Sequence, residues 1–333
     1  MAEVDASLTR GYISPTGVIL AAAMQYFIDE GVDAIVLEAG RGGRFDDVQI
    51  IQNRVACLTP IMNEHLDKLG PTIREVAWHK AGIIKPNSIV ISAPQTAEVL
   101  PVLADEIIQQ SALPIMAGRG LTFQQDFSLP NQQGIQVQCP QLGLDCSLTI
   151  KNPAHYLGLN AALALASAAA LIDADDDQLK SIGTRSASLR FPGRCDQVSS
   201  QPLVIVDGAI NRESAAALLQ SVQPYLRHPS VLVTALPEDK DYPGFLEVLV
   251  PAVDHTIITT ASNLNLTFTA DVWQTALQVD ANAIHQPDVL AALDQAVQLA
   301  GPDGFILAAG TQSFVRDALI YWNQQINNLW KSG

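Results

Sequence analysis

Short apolar runs rich in β-branched residues alternate with helical stretches along most of this chain, and that alternation limits its fold more than any other feature. Residues 34–37 and 55–59 read as buried strands. A helix from about Thr72 to Gly82, a strand over 88–92 and a helix over 97–110 follow. Upstream, Ser14-Pro15 reads as an N-cap and first helical residue, with Gly31 closing that helix. Parallel strands need crossovers, and crossover helices cover both sheet faces, so the class is α/β with a mostly parallel sheet. Residues 120–150 break the rhythm: Gln, Asn, Pro and Gly are dense and the apolar spacing falls to two, which reads as one or two antiparallel hairpins. A long Ala-rich helix over 152–172 and a short one over 176–182, stopped at Gly183, come next.

Residues 185–193 read as a linker ending in Phe191-Pro-Gly-Arg194, after which the rhythm restarts. Strands fit 203–206, 231–234, 256–259 and 305–308; helices fit 212–225, 289–299 and 313–329. A boundary near residue 188 gives domains 1–187 and 188–333, each of ordinary size. With 48% hydrophobic residues there is material for two cores, yet the longest apolar run, 161–172, is too short to span a bilayer. No charged-then-apolar leader opens the chain. Cys57, Cys139, Cys146 and Cys195 lack CxxC spacing, so neither structural zinc nor a disulfide framework is expected and a reducing cytoplasm is. The net charge of −15 repels nucleic acid backbones and anionic lipid, so neither nucleic acid nor membrane is an expected partner. It still leaves Arg41, Arg44, Lys80 and Arg194 to line one basic pocket for an anionic substrate.

The candidate chemistry sits at strand ends. Glu38-Ala-Gly-Arg41-Gly-Gly-Arg44-Phe-Asp46 follows an expected strand. A carboxylate there points into the crevice where open α/β sheets bind ligands, and glycines let backbone approach an anion; the plain alternative is a solvated surface turn. His65 lies in Asn63-Glu64-His65-Leu-Asp-Lys-Leu-Gly70, where it either ligates a divalent ion beside Glu38 or caps a turn. Lys80, in His79-Lys80-Ala-Gly82, either meets phosphate or compensates a helix dipole. Asn160 on the Ala-rich helix contacts a nucleotide base or is an ordinary helix amide. Asp207 ends a strand in the second domain, and Arg194 begins that domain, either as a ligand contact or as a surface ion pair.

Taken in order, these segments resemble the folylpolyglutamate synthase/dihydrofolate synthase family of the Mur-ligase superfamily. The likeness runs through Glu38 to Asp46, Thr59-Pro-Ile-Met-Asn-Glu-His65, Lys80-Ala-Gly-Ile-Ile-Lys85, His155 to Ala164, Pro192-Gly-Arg194, Asp207-Gly-Ala-Ile210-Asn211, Asp239-Lys240-Asp241 and Gly310-Thr-Gln-Ser313. The resemblance implies a Mur-ligase-like central domain, here truncated at its N-terminus, plus a Rossmann-like C-terminal α/β domain. It implies an ATP-dependent ligase that joins L-glutamate to a folate-type carboxylate through an acyl phosphate, with Mg²⁺ and ATP. By the same resemblance Glu38 and His65 are metal ligands, Lys80 is a carbamylated lysine acting with His65 in catalysis, and Asn160, Arg194 and Asp207 contact ATP.

The departures are specific. The family begins with a strand, a phosphate-cradling loop and a helix, and no Gly-x-x-x-x-Gly-Lys-Ser/Thr loop occurs here. Pro60, Glu64, His79 and Ile210 replace the family's Asn, Asp, Glu and His. The alternative reading is therefore a catalytically silent relative that binds a ligand or partner and does not hydrolyse ATP alone. A sheet lacking an inner strand exposes an edge and an apolar face. The expectation is a protein partner, self-association, or a new strand arrangement using residues 1–13.

Overall fold

The structure is a computed structural model that describes residues 14–127, 131–172, 176–263 and 266–324. The expected rearrangement of residues 1–13 lies outside them. In chain order the elements begin with α1 (Pro15–Glu30), β1 (Val55–Leu58), α2 (Leu66–Leu69), α3 (Ile73–Ala81), β2 (Ile89–Ser92), α4 (Val99–Gln109) and β3 (Leu113–Ala117). Next come β4 (Gly120–Asp126), β5 (Gln133–Cys139), β6 (Leu144–Ile150), α5 (Tyr156–Leu171) and α6 (Asp176–Ser186). The remainder is β7 (Asp196–Ser200), β8 (Leu203–Asp207), α7 (Arg212–Val222), β9 (Ser230–Ala235), α8 (Tyr242–Leu249), β10 (His255–Ile258), α9 (Ala270–Val279), β11 (Ile284–His285), α10 (Val289–Ala300), β12 (Phe305–Gly310) and α11 (Gln312–Tyr321).

The chain folds into two compact units. The first gathers the described residues through Thr122, together with Val137–Asp145 and those from Asn160 to Ile172; the second gathers Phe123–Gln136, Cys146–Leu159 and those from Asp176 onward. One sheet has the order β1-β2-β3-β4-β5-β6, with β1, β2 and β3 parallel. The region of apolar spacing two supplies its last three strands. The other sheet has the order β11-β10-β9-β12-β8-β7 and is parallel except for β7, which pairs antiparallel with β8. The α/β class is thus as expected.

Local chemistry explains most helix limits. In α1, Ser14 accepts from Gly17 N at 3.3 Å, Pro15 takes the first turn, and Gly31 ends the helix at φ 62°. In α3, Thr72 and Glu75 form a reciprocal capping box that satisfies two orphan N–H groups. Gly183 behaves differently from expectation. It does not stop α6, which runs on to Ser186. A Cβ at Gly183 would lie 2.5 Å from the Ser147 carbonyl oxygen, so this glycine serves close approach instead.

The second sheet is buried strand by strand. Every residue of β8, β9 and β12 is buried, and Phe305 and Phe314 are wholly enclosed. Full burial of such a side chain stabilises by about 1.5–3 kcal/mol. The first unit packs α3 and α4 on β1 and β2 through Val76, Ala77, Val90, Val99 and Leu103. Its start is a correction to the sequence reading. Residues 34–37 are not a buried strand: they form no regular element, and Val36 is 87% exposed. An isolated β-prone run gains nothing without a ladder partner, and neither sheet of the described residues offers it one. For the same reason α1 forms as expected yet buries no residue.

Candidate functional site

In the second unit, Asp207 ends β8, and β12 runs parallel beside it with Ala309 opposite Asp207. Helices α7 and α11 start just beyond these strand ends; Asn211 caps α7 with its side chain, and Thr311 takes the N-cap position of α11 without a side-chain capping bond. Carboxyl ends of parallel strands facing helix N-termini are where open α/β sheets take anionic ligands. Asp207 is buried and its oxygens are fully engaged. Oδ2 accepts from Tyr156 Oη at 2.8 Å and Cys195 N at 2.7 Å, and Oδ1 accepts from Ala209 N at 2.8 Å. Burial pushes its carboxyl above the ordinary value, against the pull of those donors and of Arg194. Burial and the facing carboxylate push the Tyr156 hydroxyl far up, so Tyr156 stays a donor.

Arg194 follows a turn that is pinned on both sides. Gly193 N and Arg190 Nη2 both donate to the buried Asp196 carboxylate, at 3.2 and 3.3 Å. Asn152 Nδ2 donates to Arg194 O at 2.7 Å. The next residue, Cys195, is held left-handed at φ 49°, a conformation costing roughly 1–2 kcal/mol for a residue with a Cβ. Its N–H bond to Asp207 compensates. The Arg194 side chain itself is exposed and lies over Gly208, where a Cβ would sit 2.4 Å from Nη1. With its amide oriented to suit both groups, Gln312 Oε1 accepts from Nη1 and Nη2 at 2.9 Å each. Nη1 also donates to Gly193 O at 3.0 Å, so the guanidinium is aimed before any anion arrives. Ile210, in the turn after Gly208, donates its N–H to Ser214 Oγ at 3.0 Å and offers no polar side chain.

Tyr156, Asn152 and Gln312 were not singled out from the sequence. Gln312 lies in the Gly310 to Ser313 landmark and Tyr156 in the His155 to Ala164 segment; Asn152 had no such signal.

The other candidates belong to the first unit. Glu38 is exposed on the irregular segment after α1. The glycine loop beyond it docks on the end of α3. Arg44 N donates to His79 O at 2.7 Å, and Cβ atoms at Gly43 and Gly82 would meet His79 O at 2.9 Å and Arg44 Cα at 2.3 Å. That brings the loop backbone against the carbonyl end of the helix bearing half-buried Lys80. Arg44 is spent on structure. It pairs with Glu106, donates to Trp78 O and stacks 4.3 Å above the Trp78 ring. His65 sits at φ 54° as the N-cap of α2, with Nε2 3.6 Å from Glu64 Oε1. Asn160 is exposed on α5.

Among the described residues no group of three or more His, Cys, Asp or Glu could hold a metal ion. Mg²⁺ characteristically takes one or two carboxylates and completes its shell with water and phosphate oxygens.

The Mur ligase, glutamate ligase domain family matches residues 193–312, which hold Arg194, Asp207 and Gln312. The Mycobacterium tuberculosis dihydrofolate synthase/folylpolyglutamate synthase is 33% identical over 256 residues, covering 73% of this chain and 52% of that protein. The Lacticaseibacillus casei folylpolyglutamate synthase is 28% identical, covering 70% of this chain and 55% of that protein. This chain thus spans about half the length of these relatives. A crystal structure of M. tuberculosis folylpolyglutamate synthase complexed with ADP and AMPPCP superposes with a TM-score of 0.83 at 27% identity, covering 92% of this chain and 72% of that one. The chain belongs to the folylpolyglutamate synthase/dihydrofolate synthase family of the Mur-ligase superfamily.

Proposed function

We propose that this chain serves ATP-dependent amide ligation, adding L-glutamate to a folate-type carboxylate. ATP phosphorylates the acceptor carboxylate, releasing ADP. The glutamate amine then attacks the acyl carbon, and the tetrahedral centre expels phosphate. The observation that carries this reading is the preset guanidinium of Arg194, clamped by Gln312 over Gly208 at the strand end where Asp207 is buried. Arg194 and Asp207 are assigned to ATP from the second unit, the first through its guanidinium and the second by fixing the turn. Asn160 is assigned to the nucleotide from the first unit. Lys80, carbamylated, and His65 act in catalysis, and Glu38 and His65 would hold Mg²⁺, which would neutralise phosphate charge. We place the domain boundary near residue 188, giving 1–187 and 188–333. The compartment is the reducing cytoplasm, in keeping with four free cysteines. No described helix is long and apolar enough to cross a membrane. A protein partner or self-association covers the exposed apolar surface of the first unit.

Two measurements test this. In calorimetric titration with Mg²⁺–AMPPCP, Arg194→Ala is expected to bind about tenfold more weakly with an unchanged unfolding midpoint, since a charged hydrogen bond contributes roughly 1.5–3 kcal/mol. Equal affinity overturns the nucleotide assignment. Phosphate release that needs ATP, Mg²⁺, a pteroate-type acceptor and L-glutamate together supports turnover. Nucleotide binding with a flat release trace assigns the chain to the silent relatives instead.

A further inference from the structure

Arg194 is held at its root as well as at its tip. Its backbone N–H donates to Phe191 O at 3.1 Å, and its C=O accepts from Asn152 Nδ2 at 2.7 Å. The same nitrogen donates to Cys195 O at 3.4 Å, so one side-chain amide spans the carbonyls of Arg194 and of the left-handed residue after it. Asn152 Oδ1 meanwhile accepts from Ala154 N at 2.8 Å, which leaves that amide no freedom to turn.

Asn152 is itself held by a second amide. Gln133, at the start of β5 and wholly buried, donates from Nε2 to Asn152 O at 2.9 Å and to Ala154 O at 2.8 Å. Its Oε1 accepts from Gln125 Nε2 of β4 at 2.6 Å, and Gln125 also donates to His155 O at 2.9 Å. The carbonyls of residues 152, 154 and 155 belong to irregular backbone just before α5. They have no ladder to join, and a buried carbonyl left without a donor is costly. The network ends on Asp207, whose Oδ2 accepts from Tyr156 and from Cys195 N. All of these groups lie in the second unit.

We propose that Gln133 and Asn152 are positioning residues for nucleotide binding: the buried amide pair fixes the Arg194–Cys195 backbone, so that the guanidinium is presented to phosphate in one orientation. The proposal rests on the assignment of Arg194 to ATP made above. Neither amide touches the ligand, since both are buried and engaged with protein groups. Gln312 and Gly193 O hold the tip of the arginine, but a tip is aimed only when the chain carrying it starts from a fixed point. With its root freed, Arg194 would have to be ordered at the moment of binding, and affinity falls by that ordering cost. A core-filling role predicts the opposite pattern, lower stability at unchanged affinity.

The test is a double-mutant cycle on the whole chain, read by calorimetric titration with Mg²⁺–AMPPCP. Asn152→Ala is expected to weaken binding about five- to tenfold in the parent chain and less than about twofold in the Arg194→Ala chain, where the arginine it aims is already gone. Gln133→Ala, one bond further away, follows the same pattern with a smaller first step. Unfolding midpoints are recorded for every chain, because both variants also strand buried carbonyls. Should Asn152→Ala fail to fold, Asn152→Ser keeps an acceptor for Ala154 N while falling short of the Arg194 and Cys195 carbonyls, and the same cycle is read on it. Equal weakening with and without Arg194, or lowered midpoints at unchanged affinity, overturns the proposal. If Arg194→Ala weakens binding and the cycle is additive, the positioning role falls alone; Arg194→Ala with parent affinity takes the nucleotide assignment down with it.

Discussion

The two sheets of this chain were built by the same sequence grammar and ended differently. In the sheet of β7–β12, β8, β9 and β12 are buried at every residue. In the sheet of β1–β6, the leading edge is a four-residue strand of which Cys57 is exposed, preceded by a helix that buries nothing. Both regions carry strong local signals. What separates them is whether a partner surface is present to turn those signals into buried area, which is where most of the stability of secondary structure arises.

The comparison can be broken in order of effect. Phe305→Ala, in a wholly enclosed site, is expected to cost about 3–5 kcal/mol in denaturant unfolding. Ile19→Ala, 67% exposed, is expected to stay within about 0.5 kcal/mol. A cost above about 2 kcal/mol for Ile19→Ala would mean that the α1 face is covered in solution. Gly82→Ala forces a Cβ to 2.3 Å from Arg44 Cα and is expected to cost about 1–3 kcal/mol while releasing the glycine loop, seen as loss of Trp78 fluorescence change on unfolding. Gly31→Ala meets nothing within 4 Å, and only its left-handed φ of 62° opposes it, for about 1 kcal/mol.

Another small effect is electrostatic and lies in the second unit. His228 and Ser230 hold the Asp254 carboxyl down to about 2, below the ordinary 3.8. A depressed carboxylate stabilises above its unfolded pKa, so this contribution is present above about pH 4 and fades as pH falls towards 2. His228 is largely exposed, so solvent limits the effect to below about 1 kcal/mol. Asp254→Asn should flatten the acid limb of a stability-against-pH curve by that amount; an unchanged limb would show the pair to be idle.

How much was legible follows the same division. Ser14, Pro15 and Gly31 gave both ends of α1, and the start of α3 at about Thr72 was legible too, because helix ends are set by neighbours in sequence. Residues 34–37 misled because strand propensity states what a run can do, while a ladder needs a second strand. The helices α8 and α9 and the strand β7 escaped notice: each is short, and its apolar spacing is set by the sheet or helix it meets. In the site, Asp207 and Arg194 were visible as a strand end and a turn. Tyr156 was not, since its bond to Asp207 joins residues 51 positions apart. No local pattern announces that contact.

Position 82 repays a last look. There a glycine at φ −61° needs no unusual backbone, and any residue could trace the same path. Its worth is the space it leaves vacant for Arg44. The docking of the Glu38 to Asp46 loop on Lys80's helix therefore hangs on a hydrogen atom where every other amino acid has a carbon, and a single-nucleotide change at that codon could unmoor the loop without altering one polar group.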